Sequence, residues 1–241
     1  MPFFLKRLRK LAVAAVNPRC WPALARGVLP TAEHFAVLRT LSVDGVIDVG
    51  ANRGQFTLDC LLALPALPIV AFEPIPAAAS VYRMVHGGIP RIKLIESALG
   101  EASGTATLHL SRSTDCSSLL PIGRVQAELF RNTDEIGTME VPVRRLDDAT
   151  GNLVGCSRLL LKLDVQGFEL NVLRGAVTTL RSCAYVYAEC SEVALYDGQA
   201  LTAEIASFLK KQGFVAKGGF NGQWHAGRLI QADYLFAREA D

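Results

Sequence analysis

Residues 46–56, Val-Ile-Asp-Val-Gly-Ala-Asn-Arg-Gly-Gln-Phe, predict a buried strand, a glycine turn and the start of a helix. The apolar β-branched run is typical of a strand, and apolar residues recur at helical spacing after the turn. Gly50 and Gly54 let the backbone approach a ligand closely, and a helix N-terminus adds free N–H groups. Asp48 supplies a carboxylate, which suits an amino group or a hydroxyl better than a phosphate. Two glycines alone are equally compatible with an ordinary tight turn.

A second apolar run, residues 68–74, ends in an acid and narrows the choice of ligand. Glu73 lies about twenty residues past the glycine turn, where dinucleotide-binding folds place the acid that binds ribose hydroxyls. The turn lacks the Gly-x-Gly-x-x-Gly fingerprint, because Asn52 stands where the second glycine belongs. The two segments therefore favour an adenosine-containing ligand without a pyrophosphate, S-adenosylmethionine above all. A nicotinamide-dependent oxidoreductase is the alternative enzyme class.

Strands that alternate with helices predict a parallel sheet with crossover connections. Residues 91–95 form a third apolar run, and residues 96–98 follow it. Ligands of such sheets bind beyond the carboxyl ends of the strands, so Glu96 is predicted on the same rim as Asp48 and Glu73. A solvated loop glutamate is an equally good explanation of Glu96.

Residues 159–169, Leu-Leu-Leu-Lys-Leu-Asp-Val-Gln-Gly-Phe-Glu, predict another strand and turn at this rim. Lys162 stands inside the apolar run, and a buried ammonium requires a carboxylate partner, for which Asp48 and Asp164 are the candidates. Asp164 ends the strand and is therefore predicted at the binding rim. Glu169 falls in the first turn of the next helix, where its charge suits the helix dipole, so it is either a capping residue or a functional one.

The remaining patterns predict elements around this core. Residues 31–40 read as a helix, and residues 104–110 as a half-exposed strand, with a hairpin added to the sheet as one arrangement. Residues 111–137 are polar and rich in Ser and Thr, and a long connection of this kind is often a substrate loop or lid. Residues 221–225 read as a loop, and residues 234–236 as the final strand.

Composition places the chain among globular proteins and gives no support for a nucleic-acid partner or a zinc site. The 241 residues are 50% hydrophobic and 20% charged, which suits one domain with or without appended segments. A net charge of +2 gives no argument for nucleic-acid binding. The six cysteines form no Cys-x-x-Cys pair, which argues against a zinc site and for reduced thiols in the cytosol.

Residues 1–16 carry four cations beside a short apolar run. The run is too short to span a bilayer and is short for a signal peptide. It predicts either a basic amphipathic helix at the inner face of the cytoplasmic membrane or a helix that packs on the domain. We therefore divide the chain into an N-terminal helical segment, residues 1–43, and a domain, residues 44–241.

Three ordered blocks resemble the FkbM-type S-adenosylmethionine-dependent methyltransferases. They are residues 46–56, Ala-Phe-Glu-Pro at 71–74, and residues 161–170 with Val-Leu-Arg-Gly-Ala at 172–176. The resemblance implies a class I methyltransferase (Rossmann-like) α/β fold: a mostly parallel seven-stranded sheet with helices on both faces and an antiparallel last strand. It also implies methyl transfer to oxygen, commonly of a sugar or polyketide hydroxyl.

The same resemblance implies a set of residues around the cofactor. They are Asp48, Gly50, Ala51, Asn52, Gly54, Gln55, Glu73, Pro74, Glu96, Ser97, Ala98, Lys162 and Asp164. Glu73 would hold the ribose, and residues 96–98 would lie beside the adenine. Many family members have Glu where this chain has Gln166, and this departure weakens any case for a divalent metal, so no metal is expected.

A hydroxyl acceptor must lose a proton as the activated methyl group reaches its oxygen, so a general base is expected. Asp164 is the first choice, and Glu169 lies in the same block. His225 and His109 are alternatives, because an unperturbed imidazole titrates near neutrality. An exposed loop position is the ordinary explanation of His225.

We expect the acceptor to be a sugar-containing small molecule or a lipid-linked glycan. Residues 1–43 and 111–137 fall outside the matching blocks, so they are predicted to select it. A noncatalytic nucleoside-binding module is the remaining rival, since it would keep the cofactor corner without a base. The sequence indicates no oligomeric state.

Overall fold

The computed structural model describes residues 3–149, 153 and 155–239, and for residues 3–9 it describes the backbone alone. The strands of this part are β1 Gly45–Val49, β2 Ile69–Phe72, β3 Ile92–Ile95, β4 Ala98–Leu99, β5 Gly104–Ser111, β6 Glu135–Arg144, β7 Leu159–Leu163, β8 Cys183–Ser191, β9 Phe214–His225 and β10 Arg228–Arg238. The α-helices are α1 Phe3–Val16, α2 Trp21–Leu24, α3 Phe35–Leu38, α4 Gln55–Ala63, α5 Pro76–His86, α6 Arg124–Leu129, α7 Glu169–Arg174, α8 Val177–Leu180 and α9 Thr202–Lys211. Short 3-10 helices cover Pro18–Cys20, Thr114–Cys116 and Leu146–Asp148.

Within the described chain, seven strands form one sheet in the order β3-β2-β1-β7-β8-β10-β9. β3, β2, β1, β7 and β8 run parallel, and β10 is antiparallel to both of its neighbours. This arrangement confirms the predicted mostly parallel sheet with an antiparallel last strand. β1 and β7 are buried along their whole length, which explains their apolar composition.

Helices cover both faces of the sheet, and successive residues of β1 supply both cores. Val46 packs in a cluster with Phe56 of α4, whereas Ile47 packs in a cluster with Leu173 of α7. The period of two along a strand produces this division. Asp48 consequently lies on the same face as Val46, toward α4.

Two secondary-structure predictions are wrong, whereas the predicted strand at 104–110 is confirmed as β5. The predicted helix 31–40 is reduced to the four residues of α3, because Ala32 adopts a left-handed φ of 57° and Thr31 bonds Asp59 instead of continuing a helix. The strand at 104–110 does not extend the main sheet. It pairs with β6 in a separate sheet of order β4-β6-β5, where Leu108 of β5 and Val141 of β6 are buried in one apolar cluster.

The predicted loop 221–225 is the end of strand β9, which pairs with β10 over its whole length. Its Gly-rich, polar composition lacks alternation, and bulges in the pairing accommodate it. The final strand is accordingly much longer than the predicted 234–236.

The C-terminal end of helix α1 packs against the domain. Ala14 is buried with Cys20, Ala23 and Leu58, the last of which belongs to α4. The predicted basic and apolar side chains of residues 4–9 lie outside the described residues. No helix among the residues described is long and apolar enough to cross a membrane.

Candidate active site

A deep cleft opens at the carboxyl ends of β1, β2 and β7, and most of the predicted cofactor residues line it. Those that line it are Gly50, Ala51, Asn52, Gln55, Glu73, Pro74, Ser97, Ala98, Lys162 and Asp164. Asp48, Gly54 and Glu96 are absent from its walls. The cleft is thus the rim that the strand order predicts.

Close approach of two loops explains the first glycine of the turn. Gly50 has a φ of +75°, and a Cβ built on it would lie 1.8 Å from the carbonyl oxygen of Asp164. Only glycine fits between the turn after β1 and the turn after β7. Gly54 has a φ of +91° and begins α4, and its added Cβ would lie 2.3 Å from Nε2 of His86. Gly54 therefore shapes the turn from behind the cleft.

Glu73 is held in the cleft by backbone donors. Its carboxylate accepts hydrogen bonds from the N–H of Asn52 at 2.8 Å and from the N–H of Ile75 at 2.7 Å. The side chain is buried, and burial raises its pKa to about 7. A carboxylate has lone pairs for further donors, so Glu73 can also accept from the hydroxyls of a bound ribose.

Three orphaned polar atoms indicate that this half of the cleft is built for a polar ligand. Asn52 Oδ1, Gln55 Oε1 and Ser97 Oγ are buried and have no hydrogen-bond partner among the described residues. All three side chains line the cleft beside the apolar Ala98. Buried polar atoms are normally paired, so these atoms fit the hydroxyls and amine of an adenosine whose flat base rests on apolar wall.

Lys162 forms the floor of the cleft and has both of its predicted partners. Its ammonium lies 3.5 Å from Oδ1 of Asp48, 3.4 Å from Oδ2 of Asp164 and 3.3 Å from the carbonyl oxygen of Gly50. Burial by itself lowers the pKa of Lys162, but the two carboxylates more than offset it and the pKa is raised. The expected pairing is confirmed, and Lys162 stays charged.

Asp48 lies beneath this floor and not in the cleft. It is fully buried, and its Oδ2 accepts a hydrogen bond from the hydroxyl of Thr57 at 2.8 Å. Its position inside β1 turns the carboxylate toward α4. The side chain therefore supports the cofactor loop through Lys162.

Two other predicted carboxylates lie outside the cleft. Glu96 is exposed and forms an ion pair with Arg83. Glu169 is buried and accepts hydrogen bonds from the N–H groups of Val165 and Gly167 at 3.1 and 3.2 Å. Burial raises the pKa of Glu169 to about 7. The capping explanation of Glu169 agrees with this geometry, because its bonds fix the turn after β7.

Gln166 holds two carboxylates together at the opposite end of the cleft. Its amide donates to Asp164 Oδ1 at 2.7 Å and to Glu189 Oε2 at 2.8 Å, and it accepts from the hydroxyl of Tyr196 at 2.8 Å. Burial, followed by the charge of Asp164, raises the pKa of Glu189 well above its usual range. A third carboxylate at position 166 would add repulsion here, so the amide suits this arrangement.

His34 lines the same end of the cleft, although no pattern in the sequence predicts it there. Its Nδ1 lies 3.1 Å from the hydroxyl of Tyr187 and 3.7 Å from Oδ2 of Asp233. Burial, and then the charge of Lys162, lowers its pKa to about 4, so the imidazole is neutral near pH 7. The residues next to His34 in the chain give no indication of a role in the site, because its partners come from β8 and β10.

The two predicted alternative histidines do not reach the cleft. His225 is exposed at the end of β9, and its predicted catalytic position is therefore not supported by the geometry. His109 lies on β5, where it pairs with Glu135 at 3.0 Å. The predicted substrate loop does contribute a wall, through Thr114, Asp115, Ser117, Ser118 and Leu119.

Comparison with known proteins identifies the family. The model of the methyltransferase FkbM domain matches residues 48–216. The chain belongs to this family. The chain is also similar to the 2-O-methyltransferase NoeI of Sinorhizobium fredii, which is 29% identical over 178 residues, covering 71% of this chain and 73% of that protein. Methyltransferase 1 of Beauveria bassiana is 31% identical over 145 residues, which cover 54% of this chain and 57% of that protein.

Solved structures align with this chain at low sequence identity. The fibrillarin of Aeropyrum pernix with bound S-adenosyl-L-methionine has a TM-score of 0.47 and 14% identity, and the alignment covers 84% of this chain and 73% of that one. The strand order and the family match define this FkbM protein as a class I methyltransferase whose cofactor is S-adenosylmethionine. The orphaned atoms and Glu73 fit the adenosine of that cofactor.

We predict that the affinity for S-adenosylmethionine depends on pH through Glu73. Below pH 7 the cofactor-free carboxyl is protonated, whereas ribose hydroxyls bind the ionised form, so binding releases a proton. Affinity measured by calorimetry should therefore rise roughly fivefold to tenfold from pH 6 to pH 8. Glu73→Gln should bind at least about tenfold more weakly at pH 8 and lose this dependence.

Glu96→Gln is the matched control, because this glutamate follows the neighbouring strand but points away from the cleft. It should bind like the unmodified protein. Thermal unfolding checks that both variants remain folded. A pH-independent affinity in the unmodified protein would contradict the assignment of Glu73.

Proposed function

We propose that this protein is an O-methyltransferase that acts on a sugar hydroxyl, carried by a small glycoside or by a lipid-linked glycan. The observation that carries the proposal is the concentration of hydrogen-bond acceptors at one end of the cleft, where Asp164 and a neutral His34 line the wall. A hydroxyl acceptor needs such groups to receive its O–H proton. The printed name of the relative NoeI, a 2-O-methyltransferase, supports oxygen as the methylated atom.

The position of this end follows from the order of the strands. The residues that would hold adenosine follow β1, β2 and β3, which would leave the part of the cleft after β7 for the acceptor. Asp164 and Gln166 follow β7, and His34 contacts Tyr187 of β8. An acceptor hydroxyl placed between these groups and the cofactor is aligned for transfer.

The chemistry divides into what the cofactor supplies and what the chain supplies. Bound S-adenosylmethionine supplies a methyl group already activated on a sulfonium. Lys162 fixes Asp164 and the Gly50 loop relative to each other. The distance between the proposed acceptor site and the cofactor site is thereby fixed. Asp164 is the proposed proton acceptor, and its side chain is 38% exposed, in reach of a bound hydroxyl.

A methyl-transfer screen tests the proposal. The protein is incubated with S-adenosylmethionine and a panel of p-nitrophenyl glycosides, free oligosaccharides and extracted glycolipids, and products are identified by mass spectrometry. We expect a single methyl ether on a sugar hydroxyl. Amine, thiol and carboxylate compounds are included as comparison acceptors, and methyl transfer confined to them would contradict the proposal.

We predict that Asp164→Asn retains S-adenosylmethionine binding but lowers kcat at least about a hundredfold, because the amide accepts no proton. His34→Gln is measured beside it, since glutamine keeps hydrogen-bonding capacity without a basic nitrogen. Cofactor affinity and thermal unfolding are determined for both variants. If turnover falls for His34→Gln and survives in Asp164→Asn, the imidazole is the base instead.

We further propose that residues 1–16 attach the enzyme peripherally to the inner face of the cytoplasmic membrane, where a lipid-linked acceptor would be met. The support is the run of cations Lys6, Arg7, Arg9 and Lys10 in a helix that begins at Phe3. Each cation near an anionic surface contributes about 1 kcal/mol, which salt screens.

Replacing Lys6, Arg7 and Arg9 by glutamine should reduce sedimentation with anionic vesicles at least about tenfold at low salt. The deletion of the whole helix is avoided because Ala14 belongs to the core. Neutral vesicles and transfer to a soluble glycoside are the controls, and both should be unaffected. Equal sedimentation of both proteins would show that the helix only packs on the domain.

A further inference from the structure

A second cavity lies beside the acceptor end of the cleft, and the proposed mechanism leaves it unused. Glu33, Phe130, Asn221, Trp224 and His225 contribute to its lining. It opens between the β9–β10 hairpin and the end of α6. The cavity is thus distinct from the cofactor cleft, but it lies at the same edge of the sheet, where the parallel strands end.

One shared wall separates the two cavities. The side-chain amide of Asn221, which lines the second cavity, lies 3.4 Å from Nδ1 of His34, which lines the cleft. The same amide donates to Asp233 at 2.7 Å, so its position is fixed. Glu33, the neighbour of His34 in the chain, faces the second cavity.

The predicted substrate loop borders both cavities as well. Its first part supplies Ser117 and Ser118 to the cleft, and its second part supplies Leu129 and Phe130 to the second cavity. An acceptor longer than one sugar could therefore extend from one cavity to the other and contact the same loop along its length.

Trp224 gives the second cavity an aromatic surface. Trp224 is 66% exposed, so its indole is open to a ligand. A Cβ built on Gly222 would lie 3.0 Å from the indole nitrogen, so the absence of a side chain there lets the indole lie against the strand. The ring is supported from behind while it remains open to a ligand.

The lining combines the apolar side chains of Leu129, Phe130 and Ile230 with several polar groups, and this mixture selects the kind of ligand. Asn221, Gln223 and His225 bring amides and an imidazole to the cavity, and Glu33 brings a carboxylate. A sugar ring has a face of C–H groups that packs on an aromatic surface and a rim of hydroxyls that bonds to polar groups. An acyl chain offers no donor or acceptor to these polar groups, whereas the hydroxyls of a sugar offer both.

We infer that the Trp224 cavity is a saccharide subsite that binds the sugar unit adjacent to the one that is methylated. The inference rests on the proposed function, in which the methylated sugar occupies the cleft. It deepens that function by favouring acceptors of at least two sugar units over monosaccharide glycosides. We expect neutral sugars to bind there, because no Lys or Arg is among the described residues that line the cavity.

Tryptophan fluorescence tests the subsite without any methyl transfer. The chain has two tryptophans, and Trp21 lies on α2, where its indole N–H donates to the carbonyl of Ala15. In Trp21→Phe the emission comes from Trp224 alone. Titration with maltotriose, cellotriose and mannotriose should produce a saturable change in emission for at least one of them, and free glucose a weaker one.

Kinetics test the same subsite with turnover. Trp224→Ala should raise KM for a trisaccharide glycoside about tenfold and leave kcat, as well as KM for the corresponding monosaccharide glycoside, unchanged. Trp21→Ala is the matched control, because it removes the other exposed indole. Its KM values should equal those of the unmodified protein.

The outcomes separate the subsite from the proposed function. If no trisaccharide changes the emission, or if Trp224→Ala keeps its KM for the trisaccharide glycoside, the subsite is overturned even where monosaccharides are methylated. If detergent micelles change the emission and trisaccharides do not, the cavity binds apolar chains and the inference is again overturned. If trisaccharides bind but no glycoside is methylated, the subsite stands and the proposed function fails.

Discussion

The buried ammonium of Lys162 is the interaction on which the arrangement of this site depends. A charged group inside a sheet is costly unless opposite charges surround it, and removing one partner of a buried pair typically costs about 3–5 kcal/mol. Here the partners come from three places: Asp48 in the neighbouring strand, Asp164 at the strand end, and the carbonyl of Gly50 in the cofactor turn. The register of β1 and β7 sets Asp48 directly beside Lys162, so satisfying one charge also fixes two strands and a loop.

The fixed floor divides the cleft into two halves of different character. The adenosine half is made of local features, a glycine turn and Glu73 with its backbone donors, that follow consecutive strands. The other half, where we propose that the acceptor binds, is assembled from distant segments: His34 precedes the sheet, Gln166 follows β7, and their partners lie on β8 and β10. Under this proposal, a change of acceptor would require changes only in the second half.

Three carboxylates near strand ends illustrate why a shared position in sequence does not imply a shared role. Glu73 follows an inner strand and is covered by the turn above it, so its carboxylate enters the cleft. Asp48 is still inside β1, where the alternation of the strand turns it toward α4. Glu96 follows β3, the edge strand of the sheet, where solvent and Arg83 are available to it. Burial and strand direction, and not spacing, separate the three.

Local patterns determined the elements of this protein: the buried strands, the glycine turn, the acid that follows β2 and the need of Lys162 for a carboxylate could all be predicted from neighbouring residues. Periodicity reports which face of an element is apolar, and a buried charge implies a partner wherever it lies. Only the tertiary structure decided that His34 meets Tyr187, that Gln166 joins Asp164 to Glu189, and that β5 leaves the main sheet. Those contacts join residues far apart in the chain, and their distances depend on register and packing, which no single segment contains.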